Sequence, residues 1–236
     1  MNRLTLAAAN FALAGLGMGP CAALAQGCSG FPGTDEALVR VTTAAASYTY
    51  AGSLGAALTV GRVAYGTISY QRTRDPELDA TSRERTVELG LDLKWFGRVY
   101  LCPLFAFSDA EGPENIALTG TNYEFASQAY GIGVAIPVQI APRWALAPFA
   151  EYRSIRLTAT QSNPAISFTR RTQDVYLLWS GGLGLTFDRR LSLRVGISVP
   201  VGFVPIAESP QDIPSAFGRE EREMSWNVAV AWSFFR

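Results

Sequence analysis

Along most of the chain apolar and polar residues alternate with a period of two, the spacing of a strand whose successive side chains point to opposite faces. From Val87 to Trp95 the odd positions are Val87, Leu89, Leu91, Leu93 and Trp95, with Glu88, Gly90, Asp92 and Lys94 between them. Leu191, Leu193, Val195, Ile197, Val199, Val201 and Phe203 alternate with Ser192, Arg194, Gly196, Ser198, Pro200 and Gly202. Met224, Trp226, Val228, Val230, Trp232 and Phe234 alternate with Ser225, Asn227, Ala229, Ala231 and Ser233. Residues 130–136 and 175–185 follow the same rule, and weaker versions occupy about 37–47, 53–61, 63–73 and 144–158. The stretch 98–108 is apolar on both faces, which leaves its facing open.

The connections alternate as well. Short turns fall near Gly61-Arg62, Gly97-Arg98, Ala141-Pro142-Arg143 and Asp188-Arg189-Arg190, whereas long polar segments lie at about 74–84, 109–123, 160–169 and 206–221. Strands joined alternately by tight turns and long loops make an up-and-down meander. Nine strands follow from Ser53 onwards. Chain ends on one side of a membrane require an even number, so 37–47 becomes the first of ten, with eight as the main alternative.

The two faces decide where such a barrel sits. If the apolar rows met water, five large side chains between Val87 and Trp95 would each forgo about 1.5–3 kcal/mol of burial. If the polar rows met lipid, Lys94 alone would cost up to ~2–4 kcal/mol at mid-membrane. Apolar-out and polar-in satisfies both, and closure pairs every backbone group inside the hydrocarbon. The predicted fold is therefore all-β: a single closed antiparallel transmembrane β-barrel over 37–236. Aromatics agree. Trp95, Phe96, Trp144, Phe187, Trp232 and Phe234 fall beside short turns or the C-terminus, and Tyr70, Phe107, Tyr152, Phe203 and Trp226 fall near loop ends. Rings in two belts are expected at two headgroup levels.

Composition narrows the function. Lys+Arg and Asp+Glu both number 20, so the chain lacks the basic surplus that nucleic-acid binding needs. Histidine is absent, which removes Ser-His-Asp triads, Cys-His pairs and His-ligated metals. Residues 1–25 read as a cleaved export signal: Arg3, an apolar run to about Met18, Gly19-Pro20, and small residues Ala23 and Ala25 at the cleavage site. Residues 26–36 would then form a periplasmic N-terminal segment. Removing the signal also removes Cys21 and leaves Cys28 and Cys102, a pair in a compartment where disulfides persist. A bridge between them needs Cys102 to face inward with Tyr100 and Ala106, and it would pull the segment 26–36 into the barrel mouth.

The exported N-terminus, the Gly-rich alternating strands and the terminal strand WNVAVAWSFF resemble small Gram-negative outer-membrane β-barrel proteins of the OmpA-like and opacity-protein group. That resemblance implies residence in the outer membrane after Sec export, contact with its lipid and lipopolysaccharide, and insertion by the barrel-assembly machinery. It implies no cofactor and no nucleic-acid partner. The proteases and lipid-modifying enzymes among such barrels use a histidine that has no counterpart here, so no catalytic residue is assigned.

The inward set holds Arg40, Lys94, Arg153 and Arg194 against Glu88, Asp92, Glu151 and Asp174. Four against four points to a lumen filled by salt bridges, since buried charges demand pairing; Glu88 and Asp92 are expected to pair with cations from neighbouring strands. A path selective for one sign would show an excess. Carboxylates clustered at 74–84 and 109–114 lack the spacing of a calcium loop, and no metal site is assigned. The sequence thus predicts a monomeric barrel with a largely filled lumen and a structural or surface-interaction role. Its alternatives are a narrow porin-like channel and a secreted soluble ligand-binding barrel.

Overall fold

The computed structural model describes Cys28, Gly30, Phe31 and residues 38–47, 51–75, 80–95, 99–111, 122–163, 167–205 and 224–235. The strand segments are β1 (Leu38–Ser47), β2 (Gly52–Gly61), β3 (Ala64–Asp75), β4 (Ala80–Leu91), β5 (Leu93–Trp95), β6 (Val99–Glu111), β7 (Asn122–Ala135), β8 (Val138–Ala141), β9 (Trp144–Asn163), β10 (Phe168–Phe187), β11 (Leu191–Pro205) and β12 (Ser225–Phe235). The segments β4 and β5 flank Asp92 and keep one register against β6, with Gly90 opposite Leu104 and Leu93 opposite Leu101, so they form one span. Likewise β7 and β8 form one span interrupted at Ile136-Pro137, where proline has no N–H for the ladder. Ten antiparallel spans result, the expected number rather than eight.

The first strand pairs with both β2 and β12, which closes the sheet and leaves no edge. Partners of Val41 followed one way around the ring run through Leu58, Ile68, Val87, Phe107, Gln128, Arg156 and Val175 to Val204. Followed the other way they run through Trp232 to Leu191, on the same strand. The displacement is the stagger of a barrel with strongly tilted strands, helped by the irregularity at Tyr176/Leu177.

The alternation maps directly onto the two faces. Leu89, Leu193 and Val230 are 55%, 42% and 44% exposed on the outside, while Glu88, Arg194, Ala229 and Ala231 are buried within. The apolar rows point away from the interior throughout. Inward-facing hydroxyls on paired strands bond to each other, as in Thr59–Thr67 (2.9 Å), Ser108–Ser127 (2.7 Å) and Thr186–Ser192 (2.9 Å). The short turns near Gly61-Arg62, Ala141-Pro142-Arg143 and Asp188-Arg189-Arg190 fall where expected, and Gly97-Arg98 lies outside the described residues. At Asp188 and Arg189 both φ angles are positive and the Arg190 N–H donates to the Phe187 carbonyl at 3.1 Å, a turn whose twist suits a hairpin. Gly61 has φ 152°, and a Cβ there would lie only 2.2 Å from the Ala64 carbonyl oxygen.

Two of the long connections, those expected at 74–84 and 160–169, are shorter than their polarity suggested. Strand pairing continues through Asp75 and resumes at Ala80, and it reaches Asn163 and resumes at Phe168. In 80–86 the outward Thr81, Arg83 and Arg85 and the inward Ser82, Glu84 and Thr86 are all polar, so the strand persists after its hydropathic alternation has ended. Residues 1–25 and most of 26–36 lie outside the described residues.

Candidate functional site inside the barrel

The lumen collects the charges that the alternation placed on one face. Arg40 on β1, Glu88 on β4, Asp92 at the β4–β5 junction, Glu151 and Arg153 on β9, Asp174 on β10 and Arg194 on β11 are all buried. Lys94 departs from the expectation. It keeps the inward register opposite Tyr100, but at the short-turn end of the barrel, where it is exposed to solvent rather than enclosed.

Arg153 is the centre of the network. Its Nη2 lies 2.9 Å from Glu88 Oε2, and its Nε donates to Glu151 Oε1. Glu88 also accepts from Tyr65 Oη at 3.5 Å. Tyr65 reaches it by lying over Gly90, where a Cβ would meet the phenol oxygen at 2.1 Å. One guanidinium thus serves two carboxylates, and its planar fork suits both at once. The partner of Glu88 was expected on an adjacent strand. It comes instead from β9, with β6 and β7 intervening, so the ion pair crosses the lumen. A register argument sees only neighbours; the curvature that brings β4 and β9 together is a property of the closed ring.

Two further arginines are paired with rings. Arg40 donates from Nε to Ser233 Oγ at 3.0 Å, interacts electrostatically with Asp92, and sets its guanidinium 4.9 Å from the centre of the Phe31 ring. Arg194 lies 4.5 Å from the centre of the Phe149 ring. Such cation–π contacts gain strength when desolvated.

Phe31 belongs to the N-terminal segment, whose described residues Cys28, Gly30 and Phe31 lie inside the lumen. Cys28 is bonded to Cys102 (S–S 2.01 Å, Cα–Cα 5.9 Å), and this settles the facing of β6: Tyr100, Cys102, Leu104 and Ala106 point inward. Cys28 touches β6 and β7, where a Cβ on Gly133 would come 2.7 Å from its own Cβ. Gly30 touches β9 and β10 through Phe149 and Gly184. Phe31 is fully buried against Ala44, Ala57, Ala229 and Ala231 of β1, β2 and β12. The segment therefore reaches walls on opposite sides of the ring. Ligand-type atoms of Cys28, Asp92 and Cys102 lie within 4.8 Å of one another. With the two sulfurs bonded to each other, that set offers a metal one carboxylate and no thiolate, a poor fit to a thiolate-type site.

Of the aromatic positions, Trp95, Trp144, Trp232 and Phe234 stand exposed on the outside at the short-turn end, with Phe187 tilted against Trp144 at 4.8 Å between centroids. Trp226, Tyr70 and Phe107 stand on the outside at the loop end, whereas Tyr152, expected there, lies mid-way along the twenty residues of β9, 4.9 Å from Trp179 between ring centroids. Phe96 and the side chain of Phe203 lie outside the described residues.

Sequence reasoning did not single out Tyr65, Gly133, Phe149 or Gly184, nor Phe31 as the residue that fills the floor. Gly131-Ile132-Gly133 and Gly182-Leu183-Gly184 carried a usable signal: two inward glycines in succession on each strand mark a wall cut back for something else.

No protein-family profile and no curated protein sequence matches the chain. Among solved structures, the chain is similar to the N-terminal β-barrel domain of Pseudomonas aeruginosa OprF (9% identity, 85% of this chain and 100% of that one, TM-score 0.36). It is also similar to the translocator domain of the autotransporter NalP from Neisseria meningitidis (13% identity, 84% and 89%, TM-score 0.47). A third is Neisserial surface protein A (10% identity, 85% and 96%, TM-score 0.38).

Proposed function

We propose that this integral outer-membrane barrel is closed to solutes and serves a structural or surface-interaction role. The observation that carries the reading is the placement of Cys28, Gly30 and Phe31 inside the lumen, in a barrel that also holds the buried Arg153–Glu88–Glu151 network. Balanced charges that bond to one another are what a stiffening core needs. The same sidedness speaks against a soluble barrel, which would turn Leu89, Leu193 and Val230 inward around a ligand.

On this reading residues 1–25 direct Sec export and are removed, and the terminal strand is read by the barrel-assembly machinery. The exposed rows contact lipid and lipopolysaccharide, and the protein works as a monomer without a cofactor. The test is electrical. Reconstituted into a planar bilayer in potassium chloride, the oxidised protein gives no discrete current steps; regular steps from this form overturn the closed reading.

A further inference from the structure

We propose that Cys28, Gly30 and Phe31 are a latched plug: they close a pore that the barrel wall itself leaves open, and the Cys28–Cys102 bond is the latch. The inference rests on the membrane reading above and adds a conducting state to it.

The wall is small where the segment sits. Gly133, Gly184, Ala44, Ala57, Ala229 and Ala231 face it, and none carries more than a methyl group. At Gly184 a Cβ would fall 1.5 Å from the Gly30 carbonyl oxygen, so the cutback matches the segment and not a neighbouring wall residue. Two of the bulky groups nearby also turn towards the segment: Arg40 faces Phe31, and Phe149 lies against Gly30. The glycines and alanines at this level leave room in the lumen once the segment is gone.

The segment is also separable. Cys28, Gly30 and Phe31 belong to no strand, so their departure breaks no ladder bond. Among the described residues they are held by the ring of Phe31 among four alanines and beside Arg40, by Gly30 against Phe149 and Gly184, and by the covalent bond to β6. Such a bond opens by exchange with a dithiol. One thiolate attacks a sulfur and forms a mixed disulfide, and the second thiolate then displaces it. Cys28 and Cys102 leave as thiols, and the reductant leaves as its own disulfide.

Three forms of the membrane-embedded protein test this in planar bilayers in potassium chloride: oxidised wild type, Cys28→Ser, and Cys28→Ser lacking residues 26–33. Heat-modifiable gel migration verifies that each is folded. We expect silence from the wild type and discrete steps from both variants, with at least a tenfold rise in open events. In Cys28→Ser the Cys102 thiol, now uncovered, reacts with a water-soluble maleimide. A folded Cys28→Ser protein that is silent, with Cys102 unlabelled, overturns the latch even if the deletion conducts. Silence from all three overturns the pore and leaves the closed reading standing. Equal conduction by all three overturns both.

Discussion

Replacing Leu89 by lysine tests which side of the sheet meets lipid. Leu89 is 55% exposed on the outer face, opposite Gly66 on β3 and Phe105 on β6. Along its span it lies between Trp95 at one belt and Arg85, opposite Tyr70, at the other, which places it near the middle of the hydrocarbon. A lysine there costs about 2–4 kcal/mol in a lipid-facing barrel position, and the cost falls to about 0–1 near the interface. Since about 1.4 kcal/mol is tenfold in an equilibrium constant, Leu89→Lys should shift the unfolding equilibrium by roughly thirty-fold to a thousand-fold. Tyr70→Lys, at the loop-end belt, should shift it by no more than about fivefold. Reversible unfolding in urea from lipid vesicles, followed by tryptophan fluorescence, measures both. On a soluble barrel the same change would place a charge in water and fall within about 0.5 kcal/mol. Equal stability of the two variants would refute the sidedness argument.

Arg153→Met strands the Glu88 and Glu151 carboxylates in the interior and should cost about 3–5 kcal/mol in the same assay, with much of it recovered when both are changed to glutamine. Cys102→Ser removes a cross-link spanning 74 residues, which the chain-entropy model values at about 4–5 kcal/mol, read as a lower denaturation midpoint. Gly184→Val drives a side chain into the Gly30 carbonyl and should lower stability by about 1–3 kcal/mol while raising the fraction of free thiols counted under denaturing conditions.

The span count and the facing were legible because each rests on a period-two pattern. That pattern stays sharp wherever the outward face is apolar. It failed at 80–86 because the outward Thr81, Arg83 and Arg85 are as polar as the buried inward Ser82, Glu84 and Thr86, so no hydropathic contrast marks the strand. The burial of Arg40, Glu88, Asp92, Glu151, Arg153, Asp174 and Arg194 followed from parity alone. Their partners did not, because Arg153 meets Glu88 across a cavity whose width depends on strand number and stagger. Lys94 shows the complementary gap: parity gives the direction of a side chain, while its depth depends on where the span ends. Residues 99–108, apolar on both faces, take their orientation from the register that sets Ala106 opposite Glu88 and from the bond of Cys102.

The bond between residues 28 and 102 also carries a statement about order in time. Both cysteines precede β7, whereas the ring cannot close until β12 finds β1. Nothing in the later half of the chain is needed to form the cross-link, so the amino-terminal strap can be fastened while the cylinder is still an open sheet. The remaining staves, β9 and β10 with their glycine recesses among them, are then laid around an obstacle already in position.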